Sequence, residues 1–177
     1  MKRIYLLVFG VLILGLLGCA DSHQLTRLNG NDSQKLNINN AVYISMPKNG
    51  YYGNKNYRHS GLNTANILQS SFVRHIRNTT IGRHYENYNT SLKSANKNNA
   101  DYLIFSTILH WEDRATEWSS IPDKVELKIE VISVNDGKTI SSGIIKGKSG
   151  IATFGGDHPQ DLLIEPINQF VSSLYFP

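Results

Sequence analysis

His110 and Glu112 stand two residues apart in "HWEDRATEWS", the stretch His110–Ser119 that also holds Trp111, Asp113, Arg114, Glu117 and Trp118. At strand spacing, side chains two residues apart share a face. With His158 of "GGDHP" they would supply the two histidines and one carboxylate of an open iron site. A metal-dependent enzyme using His110, Glu112 and His158 is therefore the alternative function this chain offers. Such sites usually sit in barrels of many strands, whereas the patterns below yield about five strands among three helices.

The other motifs that would carry chemistry are incomplete. His-x-Glu opens the zinc deaminase signature, but that motif needs a downstream Cys-x-x-Cys, and the one cysteine is Cys19. HExxH is absent, which removes a zincin. "GKS", Gly147–Ser149, would need a glycine five places before Gly147 to cradle a phosphate; Ser142 stands there, in a stretch that reads as a strand. No serine sits in G-x-S-x-G, so a nucleophile elbow is missing. Glu112, Asp113 and Glu117 are paired carboxylates, but a glycosidase holds two of them apart across a cleft, and Arg114 more simply neutralises one.

Three readings of the stretch remain. It is a structural corner whose tryptophans cover the end of the core, or a metal site, or a partner-docking surface of Trp111, Glu112, Asp113, Arg114, Glu117, Trp118 and His158. Tryptophan and arginine are the residues that most often anchor interfaces. No catalytic residue and no cofactor is assigned.

The frame that must position these groups is legible in periodicity. "AVYISMP", Ala41–Pro47, is a short strand stopped by Pro47. Lys48–Gly61 is a glycine-rich loop carrying Tyr51, Tyr52 and Tyr57, which suits protein or glycan contact as well as packing over a sheet. Leu62, Ala65, Leu68, Phe72 and Ile76 recur at three and four residues, a helix burying one face. A short strand around Thr79–Ile81 and a helix over Thr90–Asn98 lead into "ADYLIFSTILHWED", whose apolar centre Tyr102–Phe105 suits a strand covered on both faces.

From Lys124 to Val134 the chain alternates, with Val125, Leu127, Ile129 and Val131 on one face and Lys124, Glu126, Lys128 and Glu130 on the other. "NDGK" supplies a hairpin turn, and Thr139–Lys148 returns. The last helix would take Asp157 or His158 as cap and Pro159 in its first turn. Its buried stripe is Leu162, Leu163, Ile167, Phe170, Val171 and Leu174, with a kink or break at Pro166. The expected architecture is α/β (α+β): a mixed sheet of about five strands in the order βαβα-βββ-α, with helices mainly on one face.

The ends give an address. Lys2 and Arg3 precede an apolar run, Ile4–Leu17, which is a secretory signal in length and order and shorter than a spanning helix needs. It ends in Leu16-Leu17-Gly18-Cys19, which resembles the bacterial lipobox, so Cys19 is the expected lipidation site. A lone cysteine also leaves no disulfide framework and no thiolate metal cluster. Ala20 after the cysteine points to the outer membrane, with the domain facing the periplasm; Asp21 leaves an inner-membrane anchor open.

The domains expected are the signal, 1–18, a lipidated flexible tether, 19–40, and one α/β domain, 41–177. A tether of some twenty flexible residues spans on the order of 25 Å. Of the formal charge of +4, two charges leave with Lys2 and Arg3, so no concentrated basic face points to nucleic acid. The expected partners are the bilayer, through Cys19, and another envelope protein.

Three segments carry a resemblance: "DSHQLTRL", "ADYLIFSTILHWEDRATEWSSIPDKVE" and "IKGKSG...TFGGDHPQDLL". Together they resemble a family of proteobacterial lipoproteins catalogued only as a domain of unknown function. The resemblance runs through nearly the whole mature chain. It implies fold and location and brings no catalytic residue. The element order also looks like the small α/β domains of other envelope lipoproteins, among them the amino-terminal domain of TolB, the curli secretion lipoprotein and the activators of peptidoglycan synthases. That likeness is architectural and carries function only by analogy. The function expected is a non-enzymatic binding or assembly module of the cell envelope.

Overall fold

Val125, Leu127, Ile129 and Val131 are all but sealed from water, so the alternating strand buries the face its pattern assigns to the core. The computed structural model describes residues 21–30, 35–114, 121–150 and 158–176. Cys19, Asp157, Glu117 and Trp118 lie outside these, so the lipidation site and part of the expected docking surface fall outside the described residues. In chain order the elements are β1 (Ser22–Gly30), β2 (Val42–Met46), β3 (Tyr51–Tyr52), β4 (Lys55–Asn56), α1 (Ser60–Phe72) and β5 (Thr79–Tyr85). Then come α2 (Tyr88–Lys97), β6 (Tyr102–Glu112), β7 (Lys124–Ser133), β8 (Thr139–Lys148) and α3 (Asp161–Ser172).

Six strands form one mixed sheet in the order β1-β8-β7-β6-β2-β5. β2 runs parallel to both β5 and β6, while β6, β7, β8 and β1 form an antiparallel run. The parallel pairs are joined through helices, the usual form of the long crossover that parallel strands need. α1 and α3 pack on one face around Phe72, Leu68, Phe170 and Ile167. α2 covers part of the opposite face, where Ala95, Leu103, Tyr43 and Ile132 meet. A mixed α+β sheet with helices mainly on one face is thus the architecture.

Four local expectations are corrected. The segment read as a tether contains β1, which pairs antiparallel with β8 from Ser22↔Lys148 to Gly30↔Ser141. Leu25 packs against the core from this edge, while a bulge between Arg27 and Asn29 leaves Leu28 exposed. An edge strand with one inward apolar residue has little periodicity to show. Leu62, placed in the stripe of α1, is exposed; Ala65, Leu68, Phe72 and Ile76 are buried as the stripe requires, and Ser60, Gly61, Thr64 and Ser71 are buried with them.

Of the kink or break expected at Pro166, the break does not occur: α3 is continuous from Asp161 to Ser172. Leu162 and Leu163 before the proline and Ile167, Phe170 and Val171 after it form one buried stripe, and a break would pull half of it off the sheet. Its start also differs from the expected cap: Gln160 holds the cap position, and the Asp161 carboxylate accepts the His158 N–H at 3.0 Å.

The α3 stripe sits close against β8. A Cβ placed on Gly147 would stand 2.7 Å from Leu162 Cβ and 3.1 Å from Val125 Cγ1. Gly147→Val should therefore lower stability by about 1–3 kcal/mol, the usual cost of overpacking a core. Urea unfolding checks this, and an unchanged midpoint would show that α3 does not bear on β8 as described.

Candidate functional site

β6 reaches the corner through a bulge. Ile108 pairs with Leu127 and His110 with Glu126, so Leu109 is the extra residue. A bulge of this kind resets the parity of the strand. Trp111 therefore turns into the core beside Val125, and His110 and Glu112 turn to the opposite, outer face. Trp111 is 2% exposed. Gly50 lies against it so closely that a Cβ there would stand 2.5 Å from Trp111 Cβ. This corrects the docking role expected of Trp111: it is a core residue.

Glu112 is 3% exposed yet carries the densest set of polar contacts here. Its Oε1 accepts from Arg114 Nη2 at 2.6 Å and Nε at 2.7 Å; its Oε2 lies 3.1 Å from His110 Nε2 and 3.8 Å from Lys124 Nζ. Burial pushes the carboxyl pKa up. The hydrogen bonds from Arg114 and His110, with the charges of Arg114 and Lys124, outweigh burial and hold it below its ordinary value of 4.5.

Arg114 lies 5.0 Å from the centre of the Tyr52 ring, and Tyr52 meets His110 edge-on at 5.3 Å. The Arg114 backbone N–H donates to the buried Asp123 carboxylate, and the Asp123 N–H donates to Ser149 Oγ at 2.8 Å.

Asp113 points the other way. Its N–H donates to the Tyr57 hydroxyl at 3.3 Å, and its carboxylate lies 3.7 Å from His158 Nδ1. A hollow of about 430 Å³ runs beside them, lined by Tyr57, Arg58, Asn63, Trp111, Asp113 and His158. His158 therefore joins Asp113, not His110 and Glu112. Among the described residues no three His, Cys, Asp or Glu side chains gather as metal ligands would. The expected trio is split between the two sides of β6.

Tyr52, Asp123, Lys124 and Ser149 complete the corner. The tyrosine-rich loop signalled Tyr52, and it forms a small β3–β4 hairpin where only loop was expected. Asp123 gave no local signal, because its bonds to the Arg114 N–H and to Ser149 form only once β6, β7 and β8 are assembled.

The family model for a domain of unknown function (DUF4823) matches residues 34–174. The chain belongs to this family. No curated protein matches it. Among solved structures it is similar to the PelC dodecamer from Paraburkholderia phytofirmans, at 15% identity and TM-score 0.68, covering 88% of this chain and 99% of that one. The L103M variant of that dodecamer gives 14% identity and TM-score 0.67 over 86% and 98%. Lipoprotein GNA1162 from Neisseria meningitidis gives 12% identity and TM-score 0.48 over 75% and 98%. At such identities the likeness is one of fold.

The depressed pKa of Glu112 makes the corner pH-dependent. A carboxyl that binds its proton more weakly when folded stabilises the fold above the unfolded pKa, and that contribution is lost as pH falls through the folded one. Glu112→Gln should cost about 1–3 kcal/mol at neutral pH, with the cost shrinking below about pH 4. Urea titrations of both proteins across pH measure it. A gap that stays constant into acid would mean that shape, not charge, holds the corner.

Proposed function

We propose that this protein is a lipid-anchored, non-enzymatic assembly module of the bacterial envelope, held at the outer membrane through Cys19 and facing the periplasm. The observation that carries the reading is the likeness to a protein solved as a dodecamer, which extends over 99% of that chain. The partner it favours first is another copy of this chain. The sheet is open at both edges, since β1 and β5 each have one neighbour in the described sheet. Open edges offer unpaired backbone groups to a second chain.

The lipobox at Leu16–Cys19 supports the anchor. No described helix is long and apolar enough to cross a membrane. The corner supports a non-enzymatic reading. Glu112, the carboxylate with the strongest environment, is buried and engaged by Arg114, His110 and Lys124. Arg114 and Asp113 are about one-third exposed and His158 about half, so these three remain candidates for contact with a partner.

Two measurements test the reading. Cys19→Ala should move the protein from the membrane fraction to the soluble one, and mass spectrometry of the wild type should find acyl chains on Cys19; an unmodified Cys19 overturns the anchor. Light scattering on the detergent-extracted protein should give the mass of a multimer. The mass of one protomer overturns self-assembly.

A further inference from the structure

The antiparallel strands lay out their outward side chains in rows, which register fixes. One row runs Gln24, Lys146, Glu126, His110 across β1, β8, β7 and β6, and the next runs Ser22, Lys148, Lys124, Glu112. In the first row Lys146 faces Glu126 and pairs with it at 3.3 Å. In the second, Lys148 stands directly opposite Lys124. Like charges directly opposite are destabilising, and an acid at 148 would relieve the contact. The rows flank a hollow of about 490 Å³ lined by Ser22, His110, Lys124, Glu126, Lys146 and Lys148.

Among the described residues, the acids of this rim are already spent. Glu112 and Asp123 are buried. Glu126 is taken by Lys146, and Asp21 accepts the Gly150 N–H at 2.9 Å. Lys124 reaches Glu112 only at 3.8 Å, and Lys148 has no ion-pair partner among the described residues. Among the described residues, the outward charge left on the rim is therefore that of Lys124 and Lys148.

The start of β1 says where this rim lies. Ser22, the first residue of the strand, pairs with Lys148, and it is three residues from Cys19. Three residues reach at most about 10 Å. An acyl chain on Cys19 thus holds Lys148 and Lys124 within reach of the headgroups.

We infer that this rim, Lys124 and Lys148 with Lys146 beside them, binds anionic phospholipid headgroups and sets the domain end-on to the membrane. The inference rests on the lipid anchor proposed above. The phosphates would supply the counter-charge that Lys148 lacks among the described residues and that Lys124 meets only at 3.8 Å.

The test removes the anchor, so that the two ideas fail separately. The chain from residue 19 onward with Cys19→Ser keeps every described element of the fold and carries no acyl chain. It should sediment with phosphatidylglycerol vesicles at low salt, not with phosphatidylcholine vesicles, and release as salt rises. A lysine brought to an anionic surface is worth about fivefold in binding, so Lys124→Gln with Lys148→Gln should weaken it about 25-fold. Lys97→Gln with Lys138→Gln, at the far end of the sheet, should leave it unchanged. Circular dichroism confirms that both variants fold. Absence of binding to phosphatidylglycerol, equal binding to phosphatidylcholine, or equal losses in the two double variants would each overturn the rim, whatever the mass of Cys19 shows about the anchor.

Discussion

A carboxylate removed from water keeps its charge only if the protein supplies what water gave, and Glu112 imposes that demand on the corner of this fold. Arg114 and His110 answer it directly. Arg114 in turn is held by the Tyr52 ring and by its own backbone bond to Asp123. Asp123 is tied to Ser149 at the end of β8, so two buried carboxylates, Glu112 and Asp123, together link the hairpin β3–β4, the exit of β6, the entry of β7 and the end of β8. Such an arrangement confers little net stability over an apolar corner but costs much if half of it is lost. Its effect is geometric: four chain segments must meet in one way.

The bulge at Leu109 makes that geometry possible. With unbroken alternation Trp111 would face outward and Glu112 would enter the apolar core. The extra residue exchanges them, so the largest side chain of the strand fills the space beside Gly50 and the carboxylate reaches its cations. The same logic of a dominant buried face explains α3. Its stripe spans Leu162 to Val171 against β8 and α1, and the hydrogen bond forfeited at Pro166 weighs less than that contact.

Where burial imposes a period, the chain was legible. β7 alternates because one face is core and the other open, and α1, α2, β6, β8 and α3 lie close to their expected places for the same reason. Where structure depends on partners distant in sequence, local pattern was silent. β1 needs only Leu25 on the core, so "SHQLTRLNG" reads as polar leader until β8 is beside it. The bulge leaves no mark in "TILHWED", and with parity unknown Trp111 and Glu112 could not be assigned to faces. The density of charged and aromatic residues did identify the corner; that His158 belongs with Asp113 is a fact of tertiary structure.

The outer sheet face divides in the same way. Near α2 it is apolar and covered by Leu103, Ile132 and Ala95. Beyond, it carries charges whose pairs, Lys146 with Glu126 and Lys128 with Glu130, are the alternating kind that keeps an open sheet soluble. Exposed pairs of this kind are worth roughly 0–1 kcal/mol each, so the fold does not depend on them. Lys148 opposite Lys124 departs from that alternation at the end of the sheet from which the chain leads back to Cys19. A flexible tether would leave the orientation of that end free. A strand that begins at Ser22 removes most of this freedom, because backbone pairing along β8 holds the first described residues of the chain to the rigid sheet.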